Sequence, residues 1–371
     1  MRRPVRSKNG RMRIRPLAPL WLLLLGMCAA CTQTSPRPVA VGRVHRAFVD
    51  PERPAWKGGG PRPLAATVWY PARAGSEESE WSAGVFRFGR SALGAPPAEG
   101  GPRPLVVLSH GTGGSAAQLS WLAEALVAEG FIVAAVNHHG NTAVEPAPPP
   151  HGFILPWERA RDLSVLVDRL LADPELGPRI APGRIGAAGF SLGGYTVMAS
   201  AGARLVYEDF ERHCAPQPAA PECQLPPEAH FTLQDVDALE RTDPVFQASV
   251  ARSHAQRPEP RIRAVYAIAP ALMTFVEGPA FAGVQAPVRV VLGDQDDQVL
   301  AAPTAAQLGR FLPRADVTRL PDAGHYTFLA PCTWRGRLFA KALCADPDGV
   351  DRQALHARTA ADAARFFRAH L

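Results

Sequence analysis

Several features that would assign a function quickly are missing from this chain of 371 residues. No Gly-Lys-Ser or Gly-Lys-Thr follows its glycine-rich segment at 111–114, so the spacing of a phosphate-cradling loop is absent. No internal repeat points to a duplicated second domain. Acidic residues are absent from the first sixteen positions, where arginine and lysine crowd. The apolar stretch that follows is uninterrupted only from Leu20 to Ala30, too short for a helix that must cross about 30 Å of hydrocarbon. A basic start, a short apolar run and small residues after it read as a secretory signal over residues 1–31, not as a membrane span.

Export changes what charge and cysteine content mean. Residues 1–30 carry seven basic groups and no acid, so their removal takes the formal net charge from +6 to about −1. No basic stripe remains to argue for nucleic acid. Ala29-Ala30-Cys31 is similar to the bacterial lipoprotein cleavage site, which makes Cys31 a candidate lipid attachment point and membrane tether; simple cleavage and release is the alternative. Four cysteines then remain, none in a Cys-x-x-Cys pair, so metal ligation is the weaker reading and disulfides the stronger. Cys214 pairs naturally with Cys223 and Cys332 with Cys344, although four cysteines allow three connectivities and buried free thiols are a further alternative.

What is present is chemistry-bearing. Gly189-Phe190-Ser191-Leu192-Gly193 follows a short apolar strand, Arg184 to Ala188, and opens a helix of small residues from Leu192 to Gly202. In such a sharp strand-to-helix turn the glycines keep Cβ atoms out of the strand–helix contact, and Ser191 is pushed clear of the sheet beside the helix N-terminus. There the helix dipole and free N–H groups favour a developing negative charge. Upstream, the apolar segment Pro104 to Leu108 ends in Ser109-His110-Gly111-Thr112-Gly113-Gly114, a loop able to aim a backbone N–H into the same site. Acyl transfer needs two such donors for the oxyanion, and Thr112 and Leu192 are the candidates. His110 is expected to brace this loop rather than transfer protons.

Downstream, the strand Ala286 to Gly293 runs into Asp294-Gln295-Asp296-Asp297. The position three residues after the strand-terminal glycine selects Asp296 as the acid, with Asp297 as the alternative. A calcium loop would want glycine at its sixth position, where Val299 stands. After the segment Asp316 to Leu320, the loop Ala323-Gly324-His325 supplies the candidate base. Ser191 would attack, His325 would carry the proton, and Asp296 would fix the imidazole tautomer. No cofactor and no metal is expected.

Along the chain, Val39 to Val49 and Leu64 to Tyr70 read as an antiparallel pair, and residues 72–103 as a surface excursion rich in Gly, Pro, Ser and Glu. Strand and helix then alternate: Ala117 to Glu129 helical, Phe131 to Val136 extended, and Trp157 to Leu171 an amphipathic helix with Leu163, Leu166, Val167, Leu170 and Leu171 on its apolar face. This alternation predicts one domain, 32–371, of class α/β with a mostly parallel sheet and helices on both faces. Residues 203–258, polar and proline-rich, are expected to form a cap or lid, with helical stretches at Phe231 to Leu239 and Val245 to His254; Arg352 to Leu371 reads as a closing helix. His138 and His139 fall at the sheet edge where the site is expected, suited to positioning or loop fixing.

The order Ser, Asp, His and several motifs together resemble the α/β hydrolases, and within them the serine-dependent relatives of dienelactone hydrolase that include plasma-type platelet-activating-factor acetylhydrolase. The matching residues are Val68-Trp69-Tyr70-Pro71-Ala72, Ser109 to Gly114, Asn137-His138-His139-Gly140-Asn141-Thr142, Gly189 to Tyr195, Ile262-Arg263-Ala264-Val265 and Ala323-Gly324-His325. The resemblance implies an α/β-hydrolase fold, hydrolysis of a small-molecule acyl ester through an acyl-enzyme, and no cofactor. It implies Ser191 as nucleophile, Asp296 as acid, His325 as base, and Thr112 with Leu192 as oxyanion donors. Dienelactone hydrolase itself uses cysteine where Ser191 stands. The same groups on the same scaffold would also serve an amidase or peptidase, and a non-catalytic ligand-binding lipoprotein is the alternative from a different class.

Overall fold

The apolar segments that alternate with helices from residue 103 onward form the centre of one sheet, and the less regular segments before them extend it on one side. The computed structural model describes residues 39–371 except 58 and 221–222, so the expected export signal and Cys31 lie outside the described residues. The strands are β1 (Ala40–Pro54), β2 (Pro61–Ala72), β3 (Ser79–Ala83), β4 (Phe86–Leu93), β5 (Arg103–Ser109), β6 (Ile132–Val136), β7 (Ile180–Phe190), β8 (Ile262–Ile268), β9 (Val288–Gly293) and β10 (Asp316–Leu320). Their order across the sheet is β10-β9-β8-β7-β5-β6-β2-β1-β4-β3. Every pairing from β10 to β6 is parallel, whereas β2 pairs antiparallel with both β6 and β1.

The helices are α1 (Ser120–Ala128), α2 (His151–Ile154), α3 (Glu158–Leu171), α4 (Leu192–Ser200), α5 (Tyr207–Cys214), α6 (Leu233–Thr242), α7 (Pro244–Ser253), α8 (Ala301–Phe311), α9 (Trp334–Phe339), α10 (Lys341–Cys344) and α11 (Arg352–His370). Helix α1 packs with α11 and α3 with α4, covering the sheet on both faces. Strands covered in this way need apolar residues on both sides. Accordingly β6 is buried throughout, and β5 from Leu105 onward. The expected apolar face of α3 is buried except for Leu171, which is half-buried.

Residues 72–103 are not the surface excursion expected from their composition. Strands β3 and β4 lie within them and form the edge of the sheet beyond β1. Aromatic side chains hold that edge: the rings of Trp81 and Phe88 are 4.9 Å apart, and the Arg43 guanidinium lies 3.8 Å from the centre of a Trp81 ring.

Helices α5, α6 and α7 fall within 203–258. They build a second apolar cluster around Phe246 and Val236 with Trp56, Leu155 and Trp157. The indole of Trp157 donates to the Ser249 carbonyl at 2.9 Å, and Glu158, in the first turn of α3, accepts from the Ser249 hydroxyl at 2.6 Å. Both adjacent cysteine pairs are bonded, Cys214 to Cys223 and Cys332 to Cys344. No helix among the described residues is long and apolar enough to cross a membrane.

Candidate active site

Strand β7 delivers Ser191 to its position. The residue precedes α4 with φ 55° and ψ −122°, a conformation that costs a non-glycine residue about 1–3 kcal/mol and persists only where its surroundings hold it. Here they do: Ser191 N–H donates to the Ile268 carbonyl at 2.9 Å, and the Ser191 carbonyl accepts from Ala271 at 3.1 Å. The flanking glycines are needed for close approach. A Cβ on Gly189 would stand 2.1 Å from the Gly193 carbonyl oxygen, and one on Gly193 would stand 2.0 Å from that of Ser109. The turn therefore presses against the end of β5, where the glycine-rich loop begins.

Three separate strand ends meet at Ser191. Its Oγ lies 3.0 Å from Nε2 of His325, and Nδ1 of the same ring lies 2.7 Å from Oδ2 of Asp296. With Nδ1 turned to Asp296, Nε2 is the ring nitrogen that faces the serine hydroxyl. The other carboxylate oxygen, Oδ1, accepts from the N–H groups of Gln298 and Val299 at 2.9 and 2.7 Å, which fixes the carboxylate plane. All three side chains are buried. Asp294 and Asp297 are exposed, and Asp294 is turned to Arg319 at 2.6 Å. Phe190 packs against the imidazole with ring centres 4.8 Å apart.

Thr112 sits in the turn after β5, between two amides that are already engaged. Gly111 N–H donates to Oε1 of Gln118 at 2.8 Å, and Gly113 N–H donates to Oδ1 of Asn141 at 2.6 Å. The N–H groups of Thr112 and Leu192 have no partner among the described residues; that of Leu192 is the first of α4, where helical N–H groups are free by geometry. The motif at 137–142 keeps this turn in place. Asn137 accepts from Ala116 N–H at 2.8 Å, and the Thr142 hydroxyl donates to the Gly114 carbonyl at 3.0 Å.

Beneath the turn lies a polar network that sequence reasoning did not anticipate. Ser109 Oγ is 2.8 Å from Nε2 of His138, whose Nδ1 is 2.8 Å from Oδ2 of Asp162. Asp162 also accepts from Arg53 at 2.6 Å and Arg62 at 3.0 Å, and Glu158 accepts from Arg53 at 2.8 Å. Burial alone would raise the Asp162 carboxyl, but Arg62 and Arg53 outweigh it and hold the group well below its ordinary range. Burial, reinforced by the Arg159 charge, lowers His138 to about 3, so its ring is neutral. His110 is likewise pushed well below its ordinary value, first by burial and then by Arg159. Arg159 donates to the His110 carbonyl, and His110 Nε2 accepts from His138 N–H at 3.2 Å. His139 instead meets Glu145 at 2.8 Å. The buried charges at 53, 62, 158 and 162 stand on strand and helix faces that carry no sequence signal of burial.

From the insertion, Glu228 reaches the site. Its Oε1 accepts from the Tyr326 hydroxyl at 3.2 Å, and a side chain at Gly113 would meet its Cβ and Cγ at 3.1 Å. Burial, opposed by Gln298 and reinforced by Glu228, pushes the Tyr326 phenol up to about 12, so it remains a donor. No group of three or more His, Cys, Asp or Glu among the described residues is placed to hold a metal ion.

The sequence over residues 105–334, more than half of the chain, matches the Alpha/beta hydrolase family. Among solved structures, a ferulic acid esterase from Streptomyces cinnamoneus superposes with a TM-score of 0.60 at 22% identity, covering 90% of this chain and 91% of that one. At this identity the likeness establishes the fold. A chain assigned as a dipeptidyl aminopeptidase IV from Bacteroides ovatus ATCC 8483 covers 89% of this chain with a TM-score of 0.45 and 13% identity; 36% of its own length is matched, and it carries no inference. No curated protein matches the sequence. With the family match spanning the strands, turns and loops that meet at Ser191, this chain belongs to the α/β hydrolase family.

Proposed function

We propose that this protein is an exported serine esterase that cleaves carboxylic esters of small molecules through an acyl-enzyme, with Ser191 as nucleophile, His325 as general base and acid, and Asp296 as the orienting carboxylate. The observation that carries the reading is the unbroken chain Ser191 Oγ to His325 Nε2 at 3.0 Å and His325 Nδ1 to Asp296 at 2.7 Å. Ser191 Oγ attacks the ester carbonyl carbon while its proton passes to Nε2 of His325. The carbonyl oxygen, now carrying the negative charge, accepts hydrogen bonds from the N–H groups of Thr112 and Leu192. Collapse of this intermediate breaks the bond to the alcohol, which leaves with the proton from His325. Water then repeats the sequence, releasing the acid and restoring Ser191.

The fold likeness to a ferulic acid esterase makes aromatic acyl esters one class to include among substrates. The dienelactone-hydrolase-like motifs support a place in that subgroup, and the two disulfides support an oxidising compartment such as the periplasm or the cell exterior, with lipidated Cys31 as the membrane tether. The test is turnover of matched p-nitrophenyl esters and p-nitroanilides with acyl groups from acetyl to feruloyl. Ester turnover that vanishes in Ser191→Ala supports the proposal; turnover of the anilides alone would replace it with an amidase, and no turnover of either by folded protein would oppose it.

A further inference from the structure

Eight large apolar side chains are exposed among the described residues, and three of them stand on the six-residue helix α9: Trp334 at 63%, Leu338 at 55% and Phe339 at 77% exposure. A helix this short is unstable alone, so its presentation depends on what fixes it. Thr333 caps it, accepting from Gly336 N–H at 3.1 Å, and Thr333 N–H donates to the Val85 carbonyl at 2.8 Å. The Cys332–Cys344 disulfide closes the segment around it. The apolar group is therefore displayed from a fixed support.

The charge along this segment has one sign. Between residues 333 and 345 stand Arg335, Arg337 and Lys341 and no acidic residue. Beside the helix opens a groove of about 430 Å³, lined by Glu80, Ser82, Arg87, Trp334, Arg335 and Arg337, with three guanidinium groups against one carboxylate. The Nε of Arg87 is buried without a hydrogen-bond partner among the described residues. The Arg335 guanidinium lies 5.3 Å from the centre of the Trp334 ring, so cation and aromatic occupy one patch.

Isolated exposed apolar residues are ordinary on a protein surface, whereas a cluster rimmed by charge marks an interaction site. Indole and phenyl rings with arginine and lysine beside them suit the boundary between headgroups and acyl chains, where the rings enter the apolar layer and the cations meet phosphate. We propose that Trp334, Leu338 and Phe339 insert into the surface of an anionic phospholipid bilayer while Arg87, Arg335 and Arg337 bind lipid phosphate in the adjoining groove. This surface acts without regard to the chemistry assigned to Ser191.

The exported protein bearing Cys31→Ser, which removes any acyl chain on that thiol, is sedimented with vesicles of phosphatidylcholine alone and with vesicles containing phosphatidylglycerol. The protein should bind the anionic vesicles at least tenfold more tightly than the neutral ones and lose most of that binding in high salt. The triple variant Trp334→Ser, Leu338→Ser, Phe339→Ser should bind at least tenfold more weakly, and Arg335→Glu with Arg337→Glu should abolish the preference for the anionic lipid. The changes at 334, 335, 337, 338 and 339 lie on exposed side chains, and an unchanged melting temperature confirms folding. Equal binding by parent and variants, absence of binding by the parent, or a change confined to self-association by light scattering would each overturn the proposal.

Discussion

The hydroxyl of Tyr326, the residue after the candidate base, donates at 3.2 Å to Glu228 of the insertion, whose own stem lies against Gly113 in the opposite turn. One side chain of the insertion thus touches both walls that flank Ser191. A single hydrogen bond contributes about 1 kcal/mol, roughly fivefold in the equilibrium constant for parting Glu228 from Tyr326. Tyr326→Phe is expected to raise kcat/KM for the bulkiest esters about fivefold and to leave acetyl esters within about twofold. Steady-state kinetics on a graded acyl series measures this, and equal effects on both ends of the series would contradict it.

Three carboxylates follow β9, and only Asp296 is buried against His325. Replacing it by asparagine reverses the hydrogen-bonding need of Nδ1 and should lower kcat by about three to four orders of magnitude, the scale seen for the orienting aspartate of such triads. Asp294→Asn removes a contact to exposed Arg319 and should change kcat less than about twofold. Comparable losses in the two variants would move the acid elsewhere.

Ser109, His138 and Asp162 repeat the connectivity of the candidate site, with distances of 2.8 and 2.8 Å, but each is 0% exposed, whereas Ser191 keeps 7%. Their place at the end of β5 suits them to hold the turn that carries Thr112. Asp162→Asn leaves the buried Arg62 charge poorly compensated, while Arg53 keeps Asp50 and Glu158, and should cost about 3–5 kcal/mol of stability. Urea unfolding at neutral pH reads this directly; a loss under about 1 kcal/mol would mean that the network is not held as described.

His356 stacks on Trp121 with ring centres 4.1 Å apart and donates to the Thr327 carbonyl at 2.8 Å, behind the turn that bears His325. Burial lowers it from 6.5 to about 3, so the folded state keeps the ring neutral where the unfolded chain protonates it. The unfolded state therefore binds more protons between about pH 6.5 and 3, and stability from this group is present above that range and lost as pH falls through it. Each such histidine contributes a slope of up to about 1.4 kcal/mol per pH unit. In His356→Gln the unfolding free energy should decline less steeply between pH 7 and 5 than in the parent, and identical slopes would contradict the assignment.

How much was legible in the sequence follows from where the determining contacts lie. The Ser191 turn could be read because its glycines lie beside the serine in sequence, and Gly189 is required by a backbone contact to Gly193 within one strand–turn–helix unit. The parallel sheet could be read because burial on both faces leaves apolar runs such as Ile132 to Val136. Strands β3 and β4 escaped because the glycine, proline and glutamate in and around them mask the aromatic pair, Trp81 with Phe88, that holds that edge. Arg53, Arg62 and Asp162 escaped for a different reason: a charge is read as solvent-facing until its partner, about a hundred residues away, is known. The contact of Glu228 with Tyr326 spans 98 residues from an irregular segment and has no local signature.

The central claim is that the hydroxyl of Ser191, and no other, is nucleophilic in the folded protein. Reaction with a fluorophosphonate followed by peptide mass spectrometry measures it most directly. A single adduct on Ser191, lost in His325→Ala and after denaturation, is the expected result; a folded, unlabelled protein, or an adduct on another serine such as Ser109, would contradict it.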